Sequence, residues 1–245
     1  MKADPAHQRR LLDLQATDTA LTQLAYRRNH LPELAELDKL DGELRAATDE
    51  TVRAQTAVDD LDRDITRAER DVEQVRARAA KDRSLLDSGR GGAKELESLQ
   101  HELASLGRRQ SELEDVELEL MEQREQAAGA LAAASQQQSE VRQLRDTAEQ
   151  RRDESLVQLS EQEEQRRAER DPLAAALPGD LLALYERIRA NTGIGAAMLR
   201  ARRCEGCRLE LSGSELAQVR AAAAEEVIRH EECGRILVRT DESGL

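Results

Sequence analysis

Three cysteines and one histidine near the end of the chain offer chemistry that the rest of the sequence lacks. Cys204 and Cys207 stand in "CEGC", and His230 and Cys233 stand in "RHEEC". The pattern reads Cys204-x2-Cys207-x22-His230-x2-Cys233. Two donors separated by two residues can fold back onto one point, and Gly206 and Gly234 ease the tight backbone this requires. Three thiolates and one imidazole form a normal tetrahedral zinc complement. With all four positions filled by protein the site is closed and structural, and it holds one ion. A catalytic zinc would need an open position and a nearby general base. An alternative set replaces His230 by Glu231, Glu232 or a water. A redox dithiol is the other use of a CxxC pair, but that motif sits at a helix start in a βαβ context, which these residues lack. An odd number of cysteines within thirty residues is a poor disulfide framework.

Residues 194–245 must position these donors. "AAMLRAR" and "RLEL" read as strands on either side of "CEGC". "SGSELAQVRAAAA" reads as a helix with Ser212 and Glu215 at capping-box spacing, and "EVIR" and "RILVR" complete a small sheet. The segment contains no aromatic residue. Its core is too small to fold unaided, so a metal is the expected staple.

Upstream, steps of three and four from Leu37 pass through Leu40, Leu44, Ala47, Thr51, Ala54, Val58, Leu61, Ile65, Ala68, Val72, Val75, Ala79, Asp82 and Leu86. Every position but Thr51 and Asp82 is apolar, and the register never slips. That repeat keeps one narrow seam toward a partner helix. A second stripe follows the glycine cluster "DSGRGGAK": Leu99, Leu106, Leu113, Leu120, Ala127, Ala134, Val141 and Ala148. Its companion positions include Gln110, Glu117, Arg124 and Gln138, so this seam is thin and partly polar. Two striped segments joined by a short turn predict an antiparallel helical hairpin. "GRGG" is no phosphate loop, since no strand precedes it and no Gly-Lys-Ser/Thr follows.

The predicted fold is mainly α: a long antiparallel coiled-coil helical hairpin with a small C-terminal α+β zinc-binding module. The hairpin covers 1–172, with helices over about 5–28, 33–86 and 94–171 and a turn at 87–93. A connecting helix occupies 173–193 and the zinc module 194–245. The third helix is expected to stop at Asp171-Pro172, because proline disfavours helix at the residue before it. At 1.5 Å per residue that arm spans about 115 Å, which predicts a rod.

Composition narrows the function. Phe and Trp are absent, 36% of residues are charged and the net charge is −13. An acidic chain does not wrap nucleic acid over its length, because phosphate binding needs local positive charge. Residues 194–245 are nearly neutral, with arginines flanking both knuckles: Arg200, Arg202, Arg203 and Arg208 around the first, Arg229, Arg235 and Arg239 around the second. A basic face built from them would contact phosphates, although no aromatic is there to stack on bases. No apolar run approaches a membrane span, which leads to the expectation of a cytoplasmic protein without membrane contact. No Ser/His/Asp or Cys/His set has a catalytic context, and His7, His30 and His101 lie on helices without metal-ligand partners. The expected function is a non-enzymatic zinc-binding adaptor with a protein partner and no small-molecule substrate. A nucleic-acid (DNA or RNA) binding protein acting through the arginines is the alternative.

"LLDLQATDTALTQL", "KELESLQHEL", "CEGCRLEL" and "CGRILVR" together resemble a bacterial family of long helical hairpins that carry a C-terminal zinc ribbon. The Arg/Ala-rich composition looks actinobacterial. The resemblance implies one structural zinc, no established enzyme activity, and proposed roles in binding nucleic acid or regulatory proteins. That family usually presents four cysteines; here His230 stands in place of the third.

Overall fold

The computed structural model describes all residues from Met1 to Leu245. Four helices come first: α1 (Pro5–Asn29), α2 (Pro32–Asp87), α3 (Ala93–Ala175) and α4 (Gly179–Thr192). The chain ends in β1 (Ala196–Arg200), β2 (Arg203–Cys204), α5 (Gly213–Ala221), β3 (Ile228–Arg229) and β4 (Ile236–Val238). Contacts divide it into two compact units, Ala35–Gln150 and Met1–Leu34 with Arg151–Leu245.

The unit Ala35–Gln150 is the striped part of the hairpin. Leu37, Leu40, Ala47, Val58, Ala68 and Val72 are buried on α2, and Leu113, Ala134 and Ala148 on α3. Several polar seam positions turn out to bridge the arms. Arg124 Nε donates to Asp62 at 2.9 Å, Gln138 Nε2 to Thr48 Oγ1 at 2.9 Å, and Arg145 Nε to Asp41 at 3.0 Å. Partner numbers rise on one helix as they fall on the other, which sets the antiparallel register. Exposed ion pairs of this kind are worth little each; they align arms that the apolar seam holds. At the turn, Gly89 takes a left-handed φ of 60°, and the Gly92 N–H donates to Glu95 Oε2 at 2.9 Å, which caps α3.

In the other unit, Asp4 accepts the Ala6 N–H at 2.7 Å and Pro5 fills the first turn, so α1 starts where its capping signal sits. The expected stop at Asp171-Pro172 is not observed, because α3 runs through Pro172 to Ala175. A proline this close to the end breaks little of the helix ladder. Leu173 and Ala174 pack on the core, and Arg170 is fixed by Asp18 and Glu186. Tertiary packing therefore overrides the local preference. The actual break is Leu177-Pro178, where Pro178 precedes α4.

The sheet order is β2-β1-β4-β3. Its centre is the parallel pair β1–β4, in register Ala196↔Ile236, Ala197↔Leu237 and Met198↔Val238. Side chains alternate between faces as strand geometry requires. Ala196, Ile236 and Val238 join Leu11, Leu14, Leu181, Tyr185 and Ile188 of α1 and α4. Ala197, Leu199 and Leu237 join Leu211, Leu216 and Val219 around α5. The expected strand "RLEL" is reduced to one bridge, Arg203↔Glu210. The start of the chain also pairs here: the Ala3 N–H donates to Glu225 O at 2.7 Å, and the Val227 N–H to Met1 O at 3.1 Å. The small sheet thus has helices on both faces, and its core is shared with the start of the chain.

Tyr185, one of two aromatics, anchors that shared core. Its hydroxyl donates to Asp18 at 2.7 Å, and Asp18 also accepts from Arg170 Nε at 2.6 Å and pairs with Arg189 Nε at 3.2 Å. Beside them, Gln15 Oε1 accepts the Gly195 N–H at 2.7 Å. Burial and Asp18 push the Tyr185 hydroxyl well above its ordinary range, so it stays protonated. Gly195 has no room for a side chain, since a Cβ there would lie 2.5 Å from the Tyr185 ring. Asp18→Asn is expected to cost about 3 kcal/mol, the lower end for breaking a buried ion pair, and Tyr185→Phe about 1 kcal/mol for one hydrogen bond. Urea unfolding followed by circular dichroism measures both, and an Asp18→Asn loss no larger than that of Tyr185→Phe would contradict the ordering.

Candidate metal centre

Two knuckles lie at the same end of the sheet, beside the starts of β1 and β4. The first follows the β1–β2 hairpin, whose two-residue loop, Ala201-Arg202, has left-handed φ values of 45° and 65°. Such a loop matches the twist of the strands it joins. The Cys204 N–H donates to Leu209 O at 2.9 Å, and the Arg208 N–H returns to Cys204 O at 2.7 Å. The second knuckle, between β3 and β4, repeats this. The His230 N–H donates to Arg235 O at 2.9 Å, and the Gly234 N–H returns to His230 O at 2.8 Å. His230 therefore occupies the place of Cys204, and Cys233 that of Cys207. Arg208 and Gly234 are equivalent too, with left-handed φ values of 63° and 69°.

The two turns bring one donor atom from each of Cys204, Cys207, His230 and Cys233 within 4.8 Å of one another. His230 Nδ1 lies 3.0 Å from Cys233 Sγ and 3.4 Å from Cys207 Sγ. A nitrogen and a sulfur on one tetrahedral zinc stand about 3.5 Å apart. The donors fit that ion in type, number and spacing, and a zinc bound here is held by all four. Glu231 and Glu232 are exposed and lie outside the cluster, so neither replaces His230. Cys204 and His230 are fully buried. Gly206 lets the first knuckle close on the sheet, since a Cβ there would meet Ala197 Cβ at 2.9 Å and Arg235 Cδ at 2.8 Å.

Burial, together with the neighbouring thiols, pushes the Cys204 thiol up to about 12. Burial also raises Cys207, but the Leu209 N–H, the other two thiols and the charge of Arg235 outweigh it and hold that thiol below its ordinary value. Without metal, then, Cys204 carries its proton at neutral pH.

Glu215 is a site neighbour that the spacing did not reveal. Ser212 Oγ caps α5 by accepting the Glu215 N–H at 3.2 Å, but the Glu215 carboxylate does not close the capping box. It turns inward, accepts the Glu231 N–H at 2.9 Å on Oε1, and places Oε2 3.8 Å from His230 Nε2. The only sequence signal was Glu215 itself, which the capping pattern accounted for by other means.

Most of the arginines are already engaged. Arg200 pairs with Glu242 at 2.8 Å, Arg202 Nε donates to Gly244 O at 3.1 Å, and Arg229 Nε to Gly234 O at 2.9 Å. Arg235 reaches Thr192 O at 3.3 Å. Arg239 closes the end of α5, donating to the carbonyls of Val219, Ala222, Ala223, Ala224 and Glu226. Arg203 and Arg208 extend exposed side chains that bond to nothing in the chain.

Family models match at both ends of this architecture: a CT398-like coiled coil hairpin domain over residues 14–193 and a C4-type zinc ribbon domain over 203–237. An uncharacterized protein of Mycobacterium tuberculosis is 44% identical over 241 residues, covering 98% of both chains. An uncharacterized protein of Mycobacterium leprae is 31% identical over 223 residues, covering 89% of this chain and 94% of that one. Among solved structures, a Mycobacterium smegmatis protein superposes with a TM-score of 0.89 at 37% identity, over 98% of this chain and 100% of that one. CT398 of Chlamydia trachomatis shares the fold, with a TM-score of 0.69 at 18% identity over 96% and 98% of the two chains.

Cys204→Ser is expected to abolish stoichiometric zinc binding while most helical circular dichroism persists, because the long helices lie outside the knuckles. Metal analysis and thiol titration check it; a variant that still holds one zinc would contradict the ligand set. Because zinc must displace the Cys204 proton, apparent affinity should rise with pH by about one decade per unit for each proton released. Calorimetry in buffers of different ionisation enthalpy counts those protons, and binding without proton release would contradict the protonated Cys204.

Proposed function

The chain belongs to the family of CT398-like coiled-coil hairpins that carry a zinc ribbon, and from that premise we propose a non-catalytic adaptor whose ribbon serves macromolecular recognition. A protein partner is its main ligand, and it has no small-molecule substrate. The observation that carries this reading is the closed donor set: three thiols and an imidazole fill a tetrahedron and leave no position for a substrate or an activated water. The zinc then acts as a staple for a surface built around it.

The three cysteines are free thiols rather than disulfides, in keeping with a reducing cytoplasm. No helix is long and apolar enough to cross a membrane. The state of the arginines favours a protein partner over nucleic acid. Five of the seven spend their charge or their donors within the chain, four on the ribbon and Arg235 on the end of α4, and Arg203 and Arg208 alone are a small footprint for phosphates.

Two measurements test the proposal. Zinc-loaded full-length protein, used as bait in native extract, should retain a discrete protein that the metal-stripped bait does not. Fluorescence anisotropy with single- and double-stranded oligonucleotides at low salt should show no binding. Salt-sensitive binding lost in Arg203→Ala/Arg208→Ala would replace the adaptor by a nucleic-acid binder, and zinc-dependent turnover abolished by His230→Ala would replace it by an enzyme.

A further inference from the structure

His230 has two ring nitrogens in different surroundings. Nδ1 faces the sulfurs, so a metal on His230 sits on Nδ1 and leaves the ring proton on Nε2. The His230 side chain is 0% exposed, and Nε2 has no hydrogen-bond partner. A buried N–H left unpaired is costly. The acceptor facing it is Glu215 Oε2, on a side chain only 5% exposed, at 3.8 Å. A shift of about 1 Å brings that pair to hydrogen-bond length.

We propose that Glu215 is the positioning residue of the zinc centre: its carboxylate takes the Nε2–H of His230 and so fixes the imidazole with Nδ1 toward the ion. Three features prepare it for this role. The Ser212 cap fixes its backbone at the first turn of α5. Oε1 is tied to the Glu231 N–H, the backbone of the residue after the ligand, so both knuckle and ring are held by one group. Charge is the third feature. Three thiolates and a neutral imidazole leave the site one unit less negative than the four thiolates of a C4 ribbon, and the Glu215 carboxylate restores that unit. Carboxylate partners of this kind hold metal-bound histidines in place and raise their basicity.

The experiment is a double-mutant cycle on the full-length chain, with zinc affinity read by competition against a chromophoric chelator. Glu215→Gln keeps an oxygen for the Glu231 N–H and removes the charged acceptor. With His230 in place it should weaken zinc binding at least about tenfold. In the His230→Cys background, where no ring remains to be oriented, the same substitution should change affinity less than about twofold. Equal losses in both backgrounds would make Glu215 a strut for the Glu231 backbone alone and overturn the proposal. Nitrogen NMR of the zinc-loaded wild-type protein gives an answer that no variant need fold for. It should show the His230 proton on Nε2; zinc on Nε2, or no zinc bound, overturns the proposal equally.

Discussion

The metal centre depends on the parallel register of β1 against β4. One knuckle is reached from the far end of β1 through β2, and the other directly precedes β4. Pairing Ala196 with Ile236 therefore fixes how far apart the two knuckles lie. A slip of β4 by one residue would turn Leu237 away from the α5 side and Ile236 and Val238 away from α1 and α4. Four donors could not then meet within the span of one ion. Register is strongly specified because both faces of this pair are buried, each against different helices.

That double burial answers how a tip without aromatics of its own is stable. The ribbon does not rely on its metal alone. It borrows Leu11 and Leu14 from α1 and Leu181, Tyr185 and Ile188 from α4, so residues far apart in sequence form one core. Tyr185 pays for its hydroxyl by bonding to Asp18, which in turn is satisfied by two arginines from α3 and α4. The strand-like pairing of Met1–Ala3 with Glu225–Val227 adds a second tie between the start of the chain and the ribbon. The boundary of this compact unit consequently cuts across the hairpin helices instead of falling between helix and ribbon.

What the sequence disclosed and what it concealed follow from the range of the forces involved. Knuckle spacing and seam periodicity are local, and both are readable: Cys204, Cys207, His230 and Cys233 meet, and the apolar stripes from Leu37 and Leu99 face each other. Pro172 misled because its effect on the preceding backbone is small beside the packing of Leu173 and the pairing of Arg170. The seven arginines were seen as one class, although Arg239 is an internal cap and Arg235 a neighbour of thiols. Only the fold separates those from the exposed Arg203 and Arg208. Buried carboxylates were the least visible of all. Asp18 and Glu215 look like ordinary helix-surface acids until the partners that satisfy them arrive from distant segments.

The repeat between the two knuckles carries this one step further. Their backbone hydrogen bonds match atom for atom, so the position after the second ligand must be left-handed in each. Glycine meets that need at Gly234 without steric cost, whereas Arg208 adopts the same conformation at a cost of about 1 kcal/mol. The Arg208 N–H bond to Cys204 O at 2.7 Å offsets part of that cost, but the exposed side chain adds no hydrogen bond or ion pair of its own. The fold therefore carries a left-handed arginine at one knuckle where the other carries glycine, and the steric cost falls on a residue whose side chain is exposed.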